Sequence, residues 1–159
     1  MYNMLSRNVI ARDITNLTDA RYFAARGINY LLMDLDQIPL DQIIEIKEWI
    51  EGPEILLIFS EDSIRFVDES IIKLSPAGIS AKSSDTQASL EHLSAYTTIF
   101  QYAQNEILLN DQLFVGVQHI SDLDGLSEQT GVILSGGEED VVGVKSFEDL
   151  DDLLDALEE

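Results

Sequence analysis

Apolar and polar positions change rhythm repeatedly along this chain, and the changes read as strands alternating with helices. Asn8 to Ile14 predicts a short strand, Thr15-Asn16-Leu17-Thr18-Asp19 supplies a cap, and Ala20 to Arg26 is helical up to the stop at Gly27. Tyr30 to Met33 predicts a buried strand. Pro39 opens a helix whose buried stripe is Ile43, Ile46, Trp49 and Ile50, Gly52-Pro53 breaks it, and Glu54 to Phe59 is a strand again. This βαβαβ rhythm implies a parallel sheet. Further strands are expected at Ile71 to Leu74, Thr97 to Gln101, Ile107 to Leu109, Leu113 to Val117 and Val132 to Leu134, with a helix at about Asp85 to Ser94. Phe147, Leu150, Leu153, Leu154 and Leu157 recur at helical spacing and predict an amphipathic closing helix.

Eight strands in 159 residues leave too little chain for eight full βα units, since a barrel of that kind takes about 250. The gaps after Gln101 and Leu109 are also shorter than the dozen or so residues of a helical crossover. The expectation is a single domain over residues 1–159 folded as a reduced TIM-like (β/α) barrel, its helices shortened or lost between Gln101 and Thr130. Uncovered apolar strand surface there would suit a homo-oligomer contact.

Charge narrows the function. Thirty acids against nine Lys and Arg give a net charge of −21, which repels nucleic-acid phosphates and anionic lipid. Neither nucleic acid nor membrane is an expected partner. No apolar run approaches the roughly 20 residues of a membrane span, so a cytoplasmic location is expected. The absence of cysteine removes thiolate chemistry, and two isolated histidines, His92 and His119, form no metal or catalytic set. No metal and no cofactor are expected. Between Lys82 and Lys145 there is no Lys or Arg, whereas Arg7, Arg12, Arg21 and Arg26 crowd the first 26 residues.

The stretch Ile10-Ala11-Arg12-Asp13-Ile14-Thr15-Asn16-Leu17-Thr18-Asp19-Ala20, with Ala24-Ala25-Arg26-Gly27-Ile28-Asn29-Tyr30, resembles the opening of phosphoribosylanthranilate isomerase, a (β/α)8 enzyme of tryptophan biosynthesis. Ile133-Leu134-Ser135-Gly136-Gly137-Glu138 and Gly143-Val144-Lys145 are similar to that family's last strand, its phosphate loop and the segment before its final helix. An alternative register matches the seventh strand. Together the two ends cover about a third of the chain.

The resemblance implies an Amadori rearrangement, in which an acid opens the ribose ring and a base removes the C2′ proton. It assigns the base to a cysteine ending the first strand and the acid to an aspartate ending the sixth. Here those positions fall on Arg12 and Asn110, and Asp13 stands where the family has glycine. Arginine stays protonated at neutral pH, with a pKa above about 12, and cannot act as the base. The expected protein is therefore a relative without isomerase activity. It is expected to keep a phosphate or anion loop of Ser135, Gly136 and Gly137 with Arg12, open to a phosphorylated small molecule. The alternative is an active isomerase with Asp13, Asp34 or Asp111 as substitute carboxylates. Strand alternation sets Asp13 on the face opposite Arg12, so its use would need a bulge. Arg12 has a structural reading too, as ion-pair partner of Asp34 or Asp36. A third reading starts from Leu31-Leu32-Met33-Asp34-Leu35-Asp36, which resembles the phosphoacceptor strand of a doubly wound receiver domain.

Overall fold

A computed structural model describes residues 5–136 and 148–158. Its first four strands alternate with helices: β1 (Val9–Arg12), α1 (Leu17–Ala25), β2 (Tyr30–Asp34), α2 (Leu40–Trp49), β3 (Glu54–Phe59), α3 (Val67–Leu74), β4 (Gly78–Ala81) and α4 (Ser84–Leu90). The Asn16 side chain caps α1 by accepting from the Asp19 N–H at 2.8 Å, and the Ser83 hydroxyl caps α4 in the same way. Strands β5 (Thr98–Ile99), β6 (Gln101–Tyr102), β7 (Glu106–Leu109), β8 (Gln112–Gly116) and β9 (Gly131–Ser135) follow, and α5 (Glu148–Leu157) closes the chain.

The strands run in the order β5-β4-β3-β2-β1-β9-β8-β7-β6. β5 and β6 stand at opposite ends of that order, yet Phe100 alone separates them in the chain. One segment therefore pairs with β4 on one side and β7 on the other, and the sheet closes into a reduced TIM-like barrel. At the seam, Ser80 Oγ donates to the Phe100 carbonyl at 2.7 Å and Gln87 Nε2 donates to it at 2.9 Å, filling in where the ladder changes partner.

Alternation splits the apolar residues into two layers. Ile10, Leu32, Leu56, Ile58, Phe100, Ile107, Leu109, Phe114 and Ile133 fill the barrel interior. Val9, Ala11, Leu31, Met33, Ile55, Leu57, Ile79, Val132 and Leu134 face the helices, where they meet Phe23, Ile43, Ile46, Leu153, Leu154 and Leu157. Small residues make room for aromatics inside: a Cβ on Gly131 would lie 2.3 Å from Phe114, and one on Gly78 2.9 Å from Phe100.

The shortened region is the expected one. Between β6 and β9 there is one 3₁₀ turn, Ile120–Leu123, and no α-helix. The direction of one strand is not as expected. β7 runs antiparallel to β6 and to β8, and Asn110 and Asp111 join it to β8 with φ of +50° and +65°. That is a two-residue turn with both central residues left-handed, a hairpin geometry asparagine and aspartate tolerate better than most residues. On its outer face Leu108 and Leu113 lie opposite each other, 37% and 40% exposed, with none of the described helices over them.

Three local expectations are corrected. Ile71 to Leu74 is the end of α3, whose buried Val67, Ser70 and Leu74 follow helical spacing; the β-branched Ile71-Ile72 pair gave a strand signal that packing overrides. The fourth strand is Gly78–Ala81, whose Gly78, Ser80 and Ala81 carry weak strand propensity; a side chain at Gly78 would collide with Phe100. Trp49 is 61% exposed and lies under the Arg21 guanidinium at 5.5 Å instead of joining the stripe of Ile43 and Ile46. The closed barrel also replaces the doubly wound receiver reading. None of the described helices is long and apolar enough to cross a membrane.

Candidate functional site at the barrel mouth

In a parallel barrel the strand C-termini converge on one face, and inward-pointing residues at those ends line its mouth. Here that layer holds Arg12 at the end of β1, Asp34 at the end of β2, Lys82 just past β4, Tyr102 at the end of β6 and Ser135 at the end of β9. Arg12, Asp13, Leu32, Asp34, Gln37, Ile58, Lys82, Tyr102 and the turn residues Ala103 and Gln104 surround a cavity of about 460 Å³. Leu32 and Ile58 form its apolar floor, both under 5% exposed.

Lys82 organises one wall. Its Nζ lies 2.6 Å from Asp34 Oδ2 and 2.8 Å from Asp36 Oδ2, while Ser60 Oγ donates to Asp36 Oδ1 at 2.9 Å. Asp34 Oδ1 accepts the Asp36 N–H at 2.9 Å, so both of its oxygens are committed. Partial burial opposes the charge on Lys82, but the two carboxylates outweigh it and hold the ammonium above its ordinary pKa. Partial burial likewise opposes the charge on Asp36, and Lys82 and Ser60 outweigh it, holding that carboxyl below its usual range. The partner of Asp34 and Asp36 is thus Lys82, not Arg12.

Arg12 forms the opposite wall. Its Nε donates to Ser135 Oγ at 3.1 Å and its Nη1 to the Gln104 carbonyl, both neutral acceptors. The closest ion pair to it is Asp13 Oδ2 at 3.8 Å, beyond hydrogen-bond distance. Asp13 reaches the mouth because its φ is +60°: β1 ends at Arg12, alternation stops, and Asp13 takes the left-handed conformation that a glycine would take without cost. No bulge is required. Tyr102 is pushed up by burial first and by nearby acids, so its phenol is protonated at neutral pH.

The remaining candidate residues go elsewhere. Because β7 is reversed, its C-terminal Asn110 and the adjoining Asp111 lie at the end of the barrel where β8 begins, opposite the mouth. Asn8, just before β1, donates to Gln112 at 2.8 Å at that same end. Gly136 is at the mouth, but its N–H donates to the Arg12 carbonyl at 2.9 Å, and a Cβ there would lie 2.9 Å from the buried Asp19 carboxylate. The Gly136 N–H is therefore taken up by Arg12, while Ser135 Oγ accepts from Arg12 and keeps its own hydroxyl proton. Gly137, Glu138, Gly143, Val144 and Lys145 lie outside the described residues. His92 and His119 are exposed, and His119 starts the Ile120–Leu123 turn, where Asp122 accepts its N–H at 3.0 Å. The described residues contain no group of three or more His, Cys, Asp or Glu able to hold a metal.

Sequence reasoning missed Lys82, Ser60, Tyr102 and Gln104. Lys82 was available to it as the last base before a long stretch without any, but with β4 unplaced it had no strand end to sit on.

The whole-chain comparison decides the relationship of the fold. The crystal structure of phosphoribosyl anthranilate isomerase from Thermus thermophilus superposes with a TM-score of 0.67, covering 94% of this chain and 98% of that one at 16% identity. The fold is that isomerase's fold. At this identity the likeness concerns architecture alone. No family model and no curated protein matches the sequence. With the isomerase barrel as reference, β9 beside β1 supports reading Ser135-Gly136 at the last strand over the seventh-strand register.

Proposed function

We propose that this chain is a binding barrel that keeps the isomerase scaffold, does not isomerise, and uses its mouth to hold a small polar ligand. The observation that carries the proposal is the reversed β7. The sixth strand's C-terminal end, to which the resemblance assigns the general acid, points away from the mouth and ends in a tight turn. At the base position a guanidinium takes the place of a proton acceptor. Asp34 and Asp36 are bound to Lys82, so among the described residues neither is free to replace the missing acid or base.

One observation favours the alternative of an active isomerase: the left-handed Asp13 brings a half-exposed carboxylate beside Arg12. A single set of assays separates the two readings. The gene is introduced into a tryptophan auxotroph lacking the isomerase, and the purified protein is assayed with phosphoribosylanthranilate. The binding-barrel reading expects no growth and no turnover above background, and none from Arg12→Cys with Asn110→Asp, because the two altered positions lie at opposite ends of the barrel. Turnover that disappears in Asp13→Asn establishes the alternative.

A further inference from the structure

The mouth contains two kinds of polar group. Asp34, Asp36, Ser60 and Lys82 satisfy one another and make a rigid wall. The second set is under-used: Arg12 Nη2, the Tyr102 hydroxyl and the Gln37 side chain make no hydrogen bond to a described residue, and Asp13 has its 3.8 Å contact with Arg12 alone. The Arg12 side chain is 19% exposed, its two hydrogen bonds go to neutral acceptors, and among the described residues the one carboxylate paired with it, Asp13, stands 3.8 Å away. Such a cation leaves unmet demand for an anionic partner.

The charges set limits on that partner. A simple anion that meets Arg12 also meets Asp13, and it approaches a protein of net charge −21. A simple cation that meets Asp13 also meets Arg12. A molecule carrying both charges a few bonds apart satisfies both residues and enters without net repulsion. Below them Leu32 and Ile58 offer an apolar floor, and a cavity of about 460 Å³ is in the size range of small-molecule sites. From this arrangement we infer that the mouth is a receptor for a small zwitterion of the α-amino-acid type with an apolar side chain. Its carboxylate sits on Arg12, its ammonium on Asp13, and its side chain on Leu32 and Ile58. The inference rests on the binding-barrel reading above and names its ligand class.

Calorimetric titration with three related probes tests it: L-leucine, 4-methylpentanoate, which lacks the amine, and 3-methylbutylamine, which lacks the carboxylate. All are run at equal ionic strength, with L-phenylalanine as a second zwitterion. The wild type is expected to bind leucine at least about tenfold more tightly than either single-charge analogue, and leucine is expected to raise the melting temperature by mass action. Asp13→Asn, which tolerates the left-handed backbone, removes the advantage over the acid. Arg12→Gln removes the advantage over the amine. Equal binding of all three probes overturns the inference, as does no binding of leucine or phenylalanine up to about 10 mM. Isomerase turnover in the same preparation would instead sink the binding-barrel reading, so the two failures are distinguishable.

Discussion

The two halves of this barrel wall are built by different means. From β1 to β4 every strand is parallel to its neighbour and backed by a helix, so each is buried on both faces. From β6 to β8 the chain meanders antiparallel, with a three-residue and a two-residue turn in place of helices, and its outer face meets solvent. The interior is common to both, since Phe100, Ile107, Leu109 and Phe114 pack with Ile10, Leu32, Leu56 and Ile58. Closure therefore needs the inner layer and not the outer one. The consequence is chemical: reversing a strand exchanges which of its ends reaches the mouth, so the bare half contributes Tyr102 and the Ala103–Gln104 turn there instead of the end of β7.

If the bare half is a full part of the barrel, its interior should be as costly to disturb as that of the helix-backed half. Phe114 is 1% exposed, packs edge-on to Tyr30 with centroids 6.2 Å apart, and occupies the space left by Gly131. Phe114→Ala is expected to destabilise by about 3–5 kcal/mol, similar to Phe23→Ala beneath the helices. Urea unfolding gives both values, and a loss under about 1 kcal/mol at Phe114 would mean that the meander is not integral to the core.

The helix-backed half also anchors the end of the chain. Arg26 on the α1 side reaches Asp151 at 2.8 Å, Asp155 at 2.7 Å and Glu158 at 3.4 Å, and Tyr22 donates to Asp151 at 2.5 Å. Those acids are partly exposed, so Arg26→Ala is expected to cost about 1 kcal/mol, shrinking as salt is added. A loss independent of ionic strength would assign the effect to the packing of the arginine stem instead.

At the mouth the expected pH dependence has two limits. Asp36 is held below its ordinary pKa, so its contribution is present above about pH 4 and fades as pH falls through the lower folded value. Lys82 is held above its ordinary value, so its contribution is present below about pH 10 and fades as pH rises through the higher folded value. The stability difference between wild type and Lys82→Met should thus form a plateau between those limits. A difference that stays constant from pH 3 to the alkaline side would remove the ion pairs from the account.

Much of the helix-backed half was legible because caps, breakers and hydrophobic period agreed there: Asn16, Pro39 and Gly52-Pro53 punctuate it where the elements begin and end. β4 was not, since its Gly78 answers to Phe100, a partner distant in sequence. At β7 the gap lengths already excluded helices. Asn110-Asp111 carried a hairpin signal that the family alignment turned into a catalytic position. The candidate site was half legible: Arg12 and Asp34 were placed at strand ends, whereas the Lys82 link needed β4, and the position of Asp13 depended on a backbone angle that alternation does not contain.

The proposal that this barrel does not isomerise rests on the reversed β7, which carries Asn110 away from the mouth, and one cross-link tests that reversal directly. The chain has no cysteine, so Leu108→Cys with Leu113→Cys introduces a single pair at directly opposite hairpin positions. Opposed residues of an antiparallel pair have Cα atoms about 4.5–5.5 Å apart, within the range a disulfide spans. Under mild oxidation this variant is predicted to form an intramolecular disulfide readily, while Leu108→Cys with Val115→Cys, two residues out of register, lags behind it. Failure of the first pair to close within one molecule, or equal closure of both, would contradict the hairpin and return the end of β7 to the mouth.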